Sequence, residues 1–263
     1  MNNRPIGFFD SGMGGLSVLH QAIKILPYEK YIYYADTDNV PYGLKTNEQI
    51  NEYVENAVKY MMTQNVKAVV IACNTATSVA VENLRKKYDL PIIGIEPAVK
   101  PAIKLNKEKR VLLIATPVTV REEKLKKLLN EVDKENKIDL KALPNLVKFA
   151  ENEEFENEEV ENYIKREFRD LNLENYSQLI LGCTHFNYFK PIFKKIFKDN
   201  IDILDGNIGI VNRLKSVLEK NDLIGNQEKT IIEYYYSGKL VKERKELDKI
   251  KRLHKRLEEV HKL

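Results

Sequence analysis

The chain has 263 residues, 43% of them hydrophobic, which is enough for one large domain or two smaller ones. Its formal net charge of +4 is too small to indicate nucleic-acid binding by itself, and no apolar run approaches the roughly 18 residues of a membrane-spanning helix. Because the N-terminus lacks an apolar signal region and the two cysteines are far apart, we expect a cytoplasmic protein with reduced thiols, no disulfide, no metal site and no membrane partner.

Short apolar segments alternate with helical patterns along the chain. Near-continuous apolar runs are typical of strands that are buried on both faces, as in parallel sheets. Such runs predict strands at residues 5–9, 31–35, 68–72, 92–95, 111–115, 178–181 and 201–204. Amphipathic patterns predict helices within residues 47–64, 78–88 and 120–132. This alternation predicts an α/β fold of the doubly wound type, with mainly parallel sheets.

Two charged segments are expected at the surface. Residues 151–169 are acid-rich and weakly patterned, which predicts an exposed helix plus loop. Residues 239–263 predict a charged helical tail that either packs on its own body or forms a dimer seam. We favour the body, because the seam would be short for a coiled coil. The apolar positions of this tail are Leu240, Leu247, Ile250, Leu257 and Val260.

A weak internal repeat indicates two similar halves. AVVIACNTATSVAVENLRKKY resembles QLILGCTHFNYFKPIFKKIF, and IGFFDSGMGGLSVL resembles VLLIATPVTVREEKL. Two facing α/β halves would place an active site in the cleft between them. We therefore assign residues 1–98 plus 208–263 to a first domain and residues 99–207 to a second. The crossover is expected within 97–106 and the return at 205–207.

Each cysteine, Cys73 and Cys183, follows a predicted strand and precedes a predicted helix, where ligands bind in α/β sheets. The free N–H groups and dipole of the helix are expected to lower the pKa of the thiol. A free cysteine is often a packing residue, but two in matched motifs indicate a shared function. Two thiols across a cleft suit racemisation, because one removes an α-proton while the other returns one to the opposite face.

The loop after the first strand has a competing interpretation. Gly12 and Gly14 match the first two positions of the dinucleotide-binding pattern G-x-G-x-x-G, and Asp36 ends the next strand. Ser17 stands at the third glycine position, so the match is weak.

Four segments together resemble the glutamate racemase family: IGFFDSGMGGLSVL, YADTDNVPYG, ACNTA and LGCTH, in the family's order. The resemblance extends from about residue 6 to residue 210. It implies two similar α/β domains, interconversion of L- and D-glutamate without a cofactor, D-glutamate supply for peptidoglycan, and a homodimer. A racemase of aspartate or hydantoin type is an alternative, as is a non-catalytic binding or regulatory protein on the same scaffold.

The resemblance also implies roles for individual residues. Cys73 would act on the D-enantiomer and Cys183 on the L-enantiomer, with Asp10 assisting Cys73 and His185 assisting Cys183. Glu151 is a further candidate, although Lys148-Phe149 precedes it where the family usually has Pro-Leu. The implied substrate-binding residues are Asp10, Ser11, Pro41, Tyr42, Gly43, Asn74, Thr75, Thr116, Thr119, Thr184 and His185.

Several of these residues also have structural interpretations. Asp10 could cap the following helix, and His185 could be a buried hydrogen-bonding residue. Tyr42 could pack at the rim of the site, while Gly12 and Gly43 could serve only the geometry of turns.

Overall fold

The computed structural model describes residues 2–105, 109–198 and 200–262. Asn106, the last residue of the predicted crossover, and Leu263, at the end of the predicted tail, lie outside these ranges. The strands in chain order are β1 (Ile6–Asp10), β2 (Lys30–Ala35), β3 (Ala68–Ile71), β4 (Ile92–Gly94), β5 (Arg110–Ala115), β6 (Ile138–Ala142), β7 (Tyr176–Gly182), β8 (Asp202–Asp205), β9 (Ile231–Tyr236) and β10 (Lys239–Leu240).

Helices connect and cover these strands. They are α1 (Leu16–Ile25), α2 (Asn47–Thr63), α3 (Asn74–Lys87), α4 (Val99–Leu105), α5 (Pro117–Arg121), α6 (Glu123–Val132), α7 (Leu146–Glu151), α8 (Glu158–Phe168), α9 (Lys190–Ile196), α10 (Asn207–Lys220) and α11 (Arg244–Val260). Short 3-10 helices occur at Tyr42–Leu44, Leu173–Asn175 and Thr184–Phe189. Within the described ranges, none of the helices has both the length and the apolar character needed to cross a bilayer.

The strands form two sheets of matching topology. The first has the order β10-β9-β2-β1-β3-β4 and the second the order β6-β5-β7-β8. All neighbouring strands are parallel except the pair β9–β10. The run β2-β1-β3-β4 therefore corresponds to β6-β5-β7-β8, and the predicted α/β fold with mainly parallel sheets is confirmed.

Both faces of the first sheet are covered, which explains its apolar strands. Side chains alternate along a strand, so Phe8 and Phe9 of β1 point to opposite faces. Phe8 packs in a core shared with α1, α10 and α11, whereas Phe9 packs in a separate core with α2 and α3. The first of these cores continues into the second half of the chain through residues such as Leu112 of β5 and Leu181 of β7.

The structure differs from the sequence-based prediction at several elements. Strands β6, β9 and β10 were not predicted, and one predicted helix at 120–132 is two helices, α5 and α6, which break at Glu122. The acid-rich segment does contain a helix, α8, but it buries an apolar face and is not simply exposed. Its buried residues are Val160, Tyr163, Ile164 and Phe168.

The charged C-terminal tail packs against the body of its own chain, as favoured from the sequence. Helix α11 begins at Arg244, later than predicted, because Leu240 belongs to strand β10 and is 43% exposed. The apolar stripe of α11 is buried against α1 and the 3-10 helix Thr184–Phe189. The buried residues are Ile250, Leu253, Leu257 and Val260.

Three histidines meet where α11 packs on α1. The ring centroid of His20 lies 5.8 Å from that of His254 and 5.2 Å from that of His261. Burial, with the nearby Lys24 charge, lowers the pKa of His20 to about 4, and burial lowers the pKa of His254 to about 4. The pKa of His261 is lowered by the same cause.

These shifts predict that acid destabilises the protein. An unfolded chain, whose histidines titrate near pH 6.5, binds more protons than the folded chain between that pH and about 4. The free energy of unfolding is therefore highest above pH 6.5, where the histidines are neutral in both states. It decreases as the pH falls, because the unfolded chain binds protons first. We expect the Tm to fall between pH 7 and pH 5, with His20 contributing on the order of 5 °C. The variant His20→Gln, followed by calorimetry, should show a smaller fall; an identical pH profile would contradict this origin.

Candidate active site

The two cysteines occupy equivalent places in the two halves. Cys73 follows β3 and precedes α3, and Cys183 follows β7 and precedes the 3-10 helix Thr184–Phe189. Because β3 and β7 hold the same position in their sheets, the internal repeat seen in the sequence corresponds to a repeat in topology. Both side chains are only 6% exposed.

Cys73 lies in a buried, acidic environment. Its thiol donates to Ser11 Oγ at 3.6 Å, and the Ala76 N–H of α3 donates to its sulfur at 3.4 Å. Burial, reinforced by the carboxylate of Asp10, raises the pKa of Cys73 to about 12. The helix N–H does act to lower the pKa as expected from the sequence, but the expectation of a net lowering is wrong for Cys73. Desolvation outweighs one backbone amide.

Cys183 lies beside a histidine–carboxylate pair. Nδ1 of His185 is 3.9 Å from Cys183 Sγ, and Nε2 of His185 is 2.6 Å from Glu151 Oε1. Burial alone would lower the pKa of His185, but its contacts with Cys183 and Glu151 raise it well above its usual value. The pKa of Glu151 is lowered, because His185 and the Met13 N–H overcome the effect of its burial. These contacts favour the protonated form of His185. The Gly14 N–H lies 3.2 Å from the same Nε2.

Glu151, the further candidate from the sequence, lies against His185 in the structure. Its carboxylate also accepts the Met13 N–H at 2.7 Å, which ties α7 to the loop after β1. A side chain at Gly12 would collide with the Glu151 carboxylate. Gly12 is therefore needed for close approach between the two halves and not only for the geometry of a turn.

Asp10 joins the same loop to the second half of the chain. Its Oδ1 accepts the Gly12 N–H at 2.9 Å, and its Oδ2 accepts the Thr184 hydroxyl at 3.0 Å. Burial raises the pKa of Asp10. The following helix begins after Gly15 without a side-chain cap, so the interpretation of Asp10 as a helix cap is wrong.

Three threonines connect the halves on the other side of Cys73. Thr75 Oγ1 lies 2.8 Å from Thr116 Oγ1 and 3.2 Å from Thr119 Oγ1, and the last two are 3.0 Å apart. Thr75 is in the first turn of α3, while Thr116 caps α5 through the Thr119 N–H. The N-termini of these two helices therefore meet at the site.

The loop after β2 reaches the same threonines. Pro41 follows a cis peptide bond and leads into the 3-10 helix Tyr42–Leu44. A Cβ on Gly43 would lie 2.8 Å from Thr116 Cβ, so this glycine too is required for close approach. The Tyr42 side chain is buried and its hydroxyl donates to Asp36 Oδ2 at 2.5 Å. Tyr42 is thus a packed residue, with its hydroxyl directed away from solvent.

Asp36 has a different role from the one considered for a dinucleotide site. Its carboxylate accepts hydrogen bonds from Tyr42, from Asn39 and from Ser237 of the β9–β10 turn. The Asp36 carboxylate is therefore occupied by hydrogen bonds within the protein, and these contacts explain an aspartate after β2 without a bound dinucleotide.

Two tyrosines that the sequence reasoning missed hold the loop after β1. The Tyr33 hydroxyl donates to the Gly12 carbonyl at 2.7 Å, and the Tyr188 hydroxyl donates to the Met13 carbonyl at 2.9 Å. Tyrosines inside buried segments were the available signal, since a buried hydroxyl requires a partner.

Most of the predicted residues are buried close to one of the two cysteines. Asn74 Oδ1 is buried and has no hydrogen-bond partner among the described residues, which leaves an acceptor free next to Cys73. In the described part of the chain, no group of three or more histidine, cysteine or acidic side chains is arranged to hold a metal ion. The buried site residues are Asp10, Ser11, Tyr42, Gly43, Cys73, Asn74, Thr75, Thr116, Thr119, Cys183, Thr184 and His185.

The sequence matches a known family over most of its length. The model of the Asp/Glu/hydantoin racemase family matches residues 17–214. The chain belongs to this family. It is 49% identical to a glutamate racemase of Lachnospira eligens, over 98% of this chain and 99% of that protein. It is 48% identical to glutamate racemase 2 of Bacillus subtilis, over 97% and 96% of the two chains.

Solved structures of this family have the same architecture. Glutamate racemase from Bacillus anthracis superimposes with a TM-score of 0.81 at 29% identity, covering 89% of this chain and 88% of that one. A complex of the Francisella tularensis glutamate racemase with D-glutamate also gives a TM-score of 0.81, at 26% identity, covering 97% and 94%.

Proposed function

We propose that this enzyme interconverts L- and D-glutamate by acid–base catalysis between Cys73 and Cys183. The observation that carries the proposal is the placement of the two thiols at equivalent strand ends of facing halves. The contact between Asp10 and Thr184 holds these halves together beside both thiols. The choice of glutamate as the substrate is supported by two relatives named glutamate racemases, to which this chain is 49% and 48% identical.

The site offers partners for each charged group of an amino-acid dicarboxylate. The first turn of α3 carries backbone N–H groups next to Cys73, which a carboxylate can accept, and the hydroxyls of Thr75 and Thr116 lie beside it. The unpartnered Asn74 Oδ1 and the Asp10 carboxylate suit the substrate ammonium. Because these side chains are buried, we expect the halves to separate when glutamate enters and to exclude water when they close.

The two thiols differ in their protonation environment. Cys73, whose pKa is raised, is held as a thiol that can donate a proton, whereas Cys183 lies next to His185, whose raised pKa favours its protonated form. In the L-to-D direction, Cys183 removes the α-proton from one face and Cys73 delivers its own proton to the other. In the reverse direction the roles exchange. This assignment of enantiomers rests on the family resemblance.

We further propose a cellular role and organisation from the same resemblance. The enzyme would supply D-glutamate for peptidoglycan, act in the cytoplasm and form a homodimer. We also propose the domain boundaries 1–98 plus 208–263 and 99–207. Helix α10 packs on α1 of the first half and α4 packs on α6 of the second, which supports these boundaries.

The substrate assignment predicts a strong preference for glutamate. We expect measurable circular-dichroism decay with either enantiomer of glutamate, without added cofactor, and rates at least about tenfold lower with aspartate, since a shorter side chain cannot reach the same donors. Preference for aspartate or a hydantoin would reject glutamate as the substrate. Binding of glutamate without any racemisation would instead support a non-catalytic protein.

A further inference from the structure

The tight turn between β9 and β10 lies next to the loop that enters the active site. The turn consists of Ser237 and Gly238, which both have positive φ, at 43° and 82°. It is outside residues 17–214, the part of the chain that matches the family model. Strand β9 pairs in parallel with β2, so the turn follows β9 just where the loop after Ala35 leaves β2.

Ser237 makes three hydrogen bonds, one to the last residue of β2 and two to the first residues of that loop. Its N–H donates to the Ala35 carbonyl at 2.8 Å, and its hydroxyl oxygen accepts the Asp38 N–H at 3.1 Å. The same hydroxyl donates to Asp36 Oδ1 at 3.1 Å. One small side chain therefore bonds both the backbone and the buried carboxylate of the loop.

The contact continues from Asp36 to the substrate-binding segment. The other carboxylate oxygen, Oδ2, accepts the Tyr42 hydroxyl, and the next residue, Gly43, packs against Thr116 of the opposite half. The Asn39 amide donates to both carboxylate oxygens, whereas Ser237 donates to Oδ1 alone and Tyr42 to Oδ2 alone. The orientation of Asp36 thus depends on Ser237 together with Asn39, and the carboxylate in turn holds the Tyr42 hydroxyl.

We propose that Ser237 is a positioning residue for the segment Pro41-Tyr42-Gly43, acting through the Asp36 carboxylate. The proposal rests on the proposed function in that this segment binds the substrate. Ser237 does not touch the reacting atoms, so its loss weakens substrate binding more than proton transfer. The turn at the end of β9 is thereby part of the substrate site although it lies beyond the family-matched region.

The test compares two substitutions of Ser237 with a neighbouring control. Ser237→Gly removes the hydroxyl but suits the positive φ, so the turn is retained; Ser237→Ala removes the same hydroxyl and keeps a Cβ. Lys239→Ala, on the exposed strand β10, is the control. We expect KM for glutamate to rise about three- to tenfold in both Ser237 variants, with kcat within about twofold and the control unchanged, as for loss of one charge-assisted hydrogen bond.

Hydrogen exchange followed by mass spectrometry provides a readout that needs no substrate. In Ser237→Gly, faster exchange should be confined to residues 36–44. Unchanged KM and unchanged exchange would overturn the proposal. A parallel loss of kcat, Tm and protection across the first sheet would also overturn it, since that is the result of a purely structural role. If the wild-type enzyme does not racemise glutamate, the proposed function is wrong. In that case the hydrogen exchange of residues 36–44 in Ser237→Gly still decides whether Ser237 positions this loop.

Discussion

Replacing Cys73 or Cys183 by serine is expected to reduce the racemisation of glutamate by about 10²- to 10⁴-fold in each case, the usual contribution of one positioned acid or base. A serine hydroxyl retains the size of the side chain but is far less acidic than a thiol. Each variant should fold, because both positions hold small buried side chains at strand ends. Polarimetry in both directions measures the loss.

The two variants should differ in the reaction that they retain. With Cys183 intact, Cys73→Ser should still exchange the α-proton of one enantiomer with deuterated solvent, and Cys183→Ser should do so for the other. By the proposed assignment these are L-glutamate and D-glutamate, respectively. Each variant is the matched control for the other, and NMR of the α-proton follows both. Racemisation by either variant at the wild-type rate would reject a mechanism with two thiols.

The second large effect is expected at Glu151. Glu151→Gln removes the carboxylate that lies 2.6 Å from His185 and that helps raise the pKa of this histidine. We expect kcat to fall about 10- to 100-fold, since a buried imidazolium without its counter-charge loses its proton. Glu153→Gln is the control, because Glu153 pairs with Arg252 at the surface instead.

The Glu151 variant should also gain a pH dependence. In the wild-type protein the contact with Glu151 raises the pKa of His185 well above the usual value and so favours its protonated form. In Glu151→Gln the pKa falls, so His185 loses its proton at a lower pH and the remaining activity should decrease as the pH rises. The pH profile of kcat/KM measures this. Equal profiles for the variant and the wild type would show that Glu151 does not act through His185.

The sequence predicts the equivalent positions of the two cysteines because their motif is local. A buried strand followed directly by Cys73 or Cys183 and then by a helix places each thiol at a sheet edge, whatever the rest of the fold. The repeat of this motif then indicated two facing halves. Their matching strand order confirms that interpretation.

Features that depend on distant contacts could not be read from the sequence. The pKa of Cys73 is raised by burial and by Asp10, which lies far away in the chain. The sequence does not predict strand β9, because IIEYYY follows a polar stretch near the end of the chain. This segment becomes part of the sheet by pairing with the distant strand β2. Ser237 carries no local signal of a role, since its partners Ala35, Asp36 and Asp38 are about 200 residues away.

The two-thiol account is tested most directly by racemising L-glutamate with the wild-type enzyme in deuterated water. At low conversion, the D-glutamate formed should carry deuterium at its α-carbon while the remaining L-glutamate carries none. This result is expected because the proton that Cys183 removes remains on the Cys183 sulfur and does not reach the opposite face of the α-carbon. The hydrogen that Cys73 delivers has been exchanged with solvent and is therefore deuterium. Product that retains the original α-hydrogen would show a single base working on both faces, and would contradict the account.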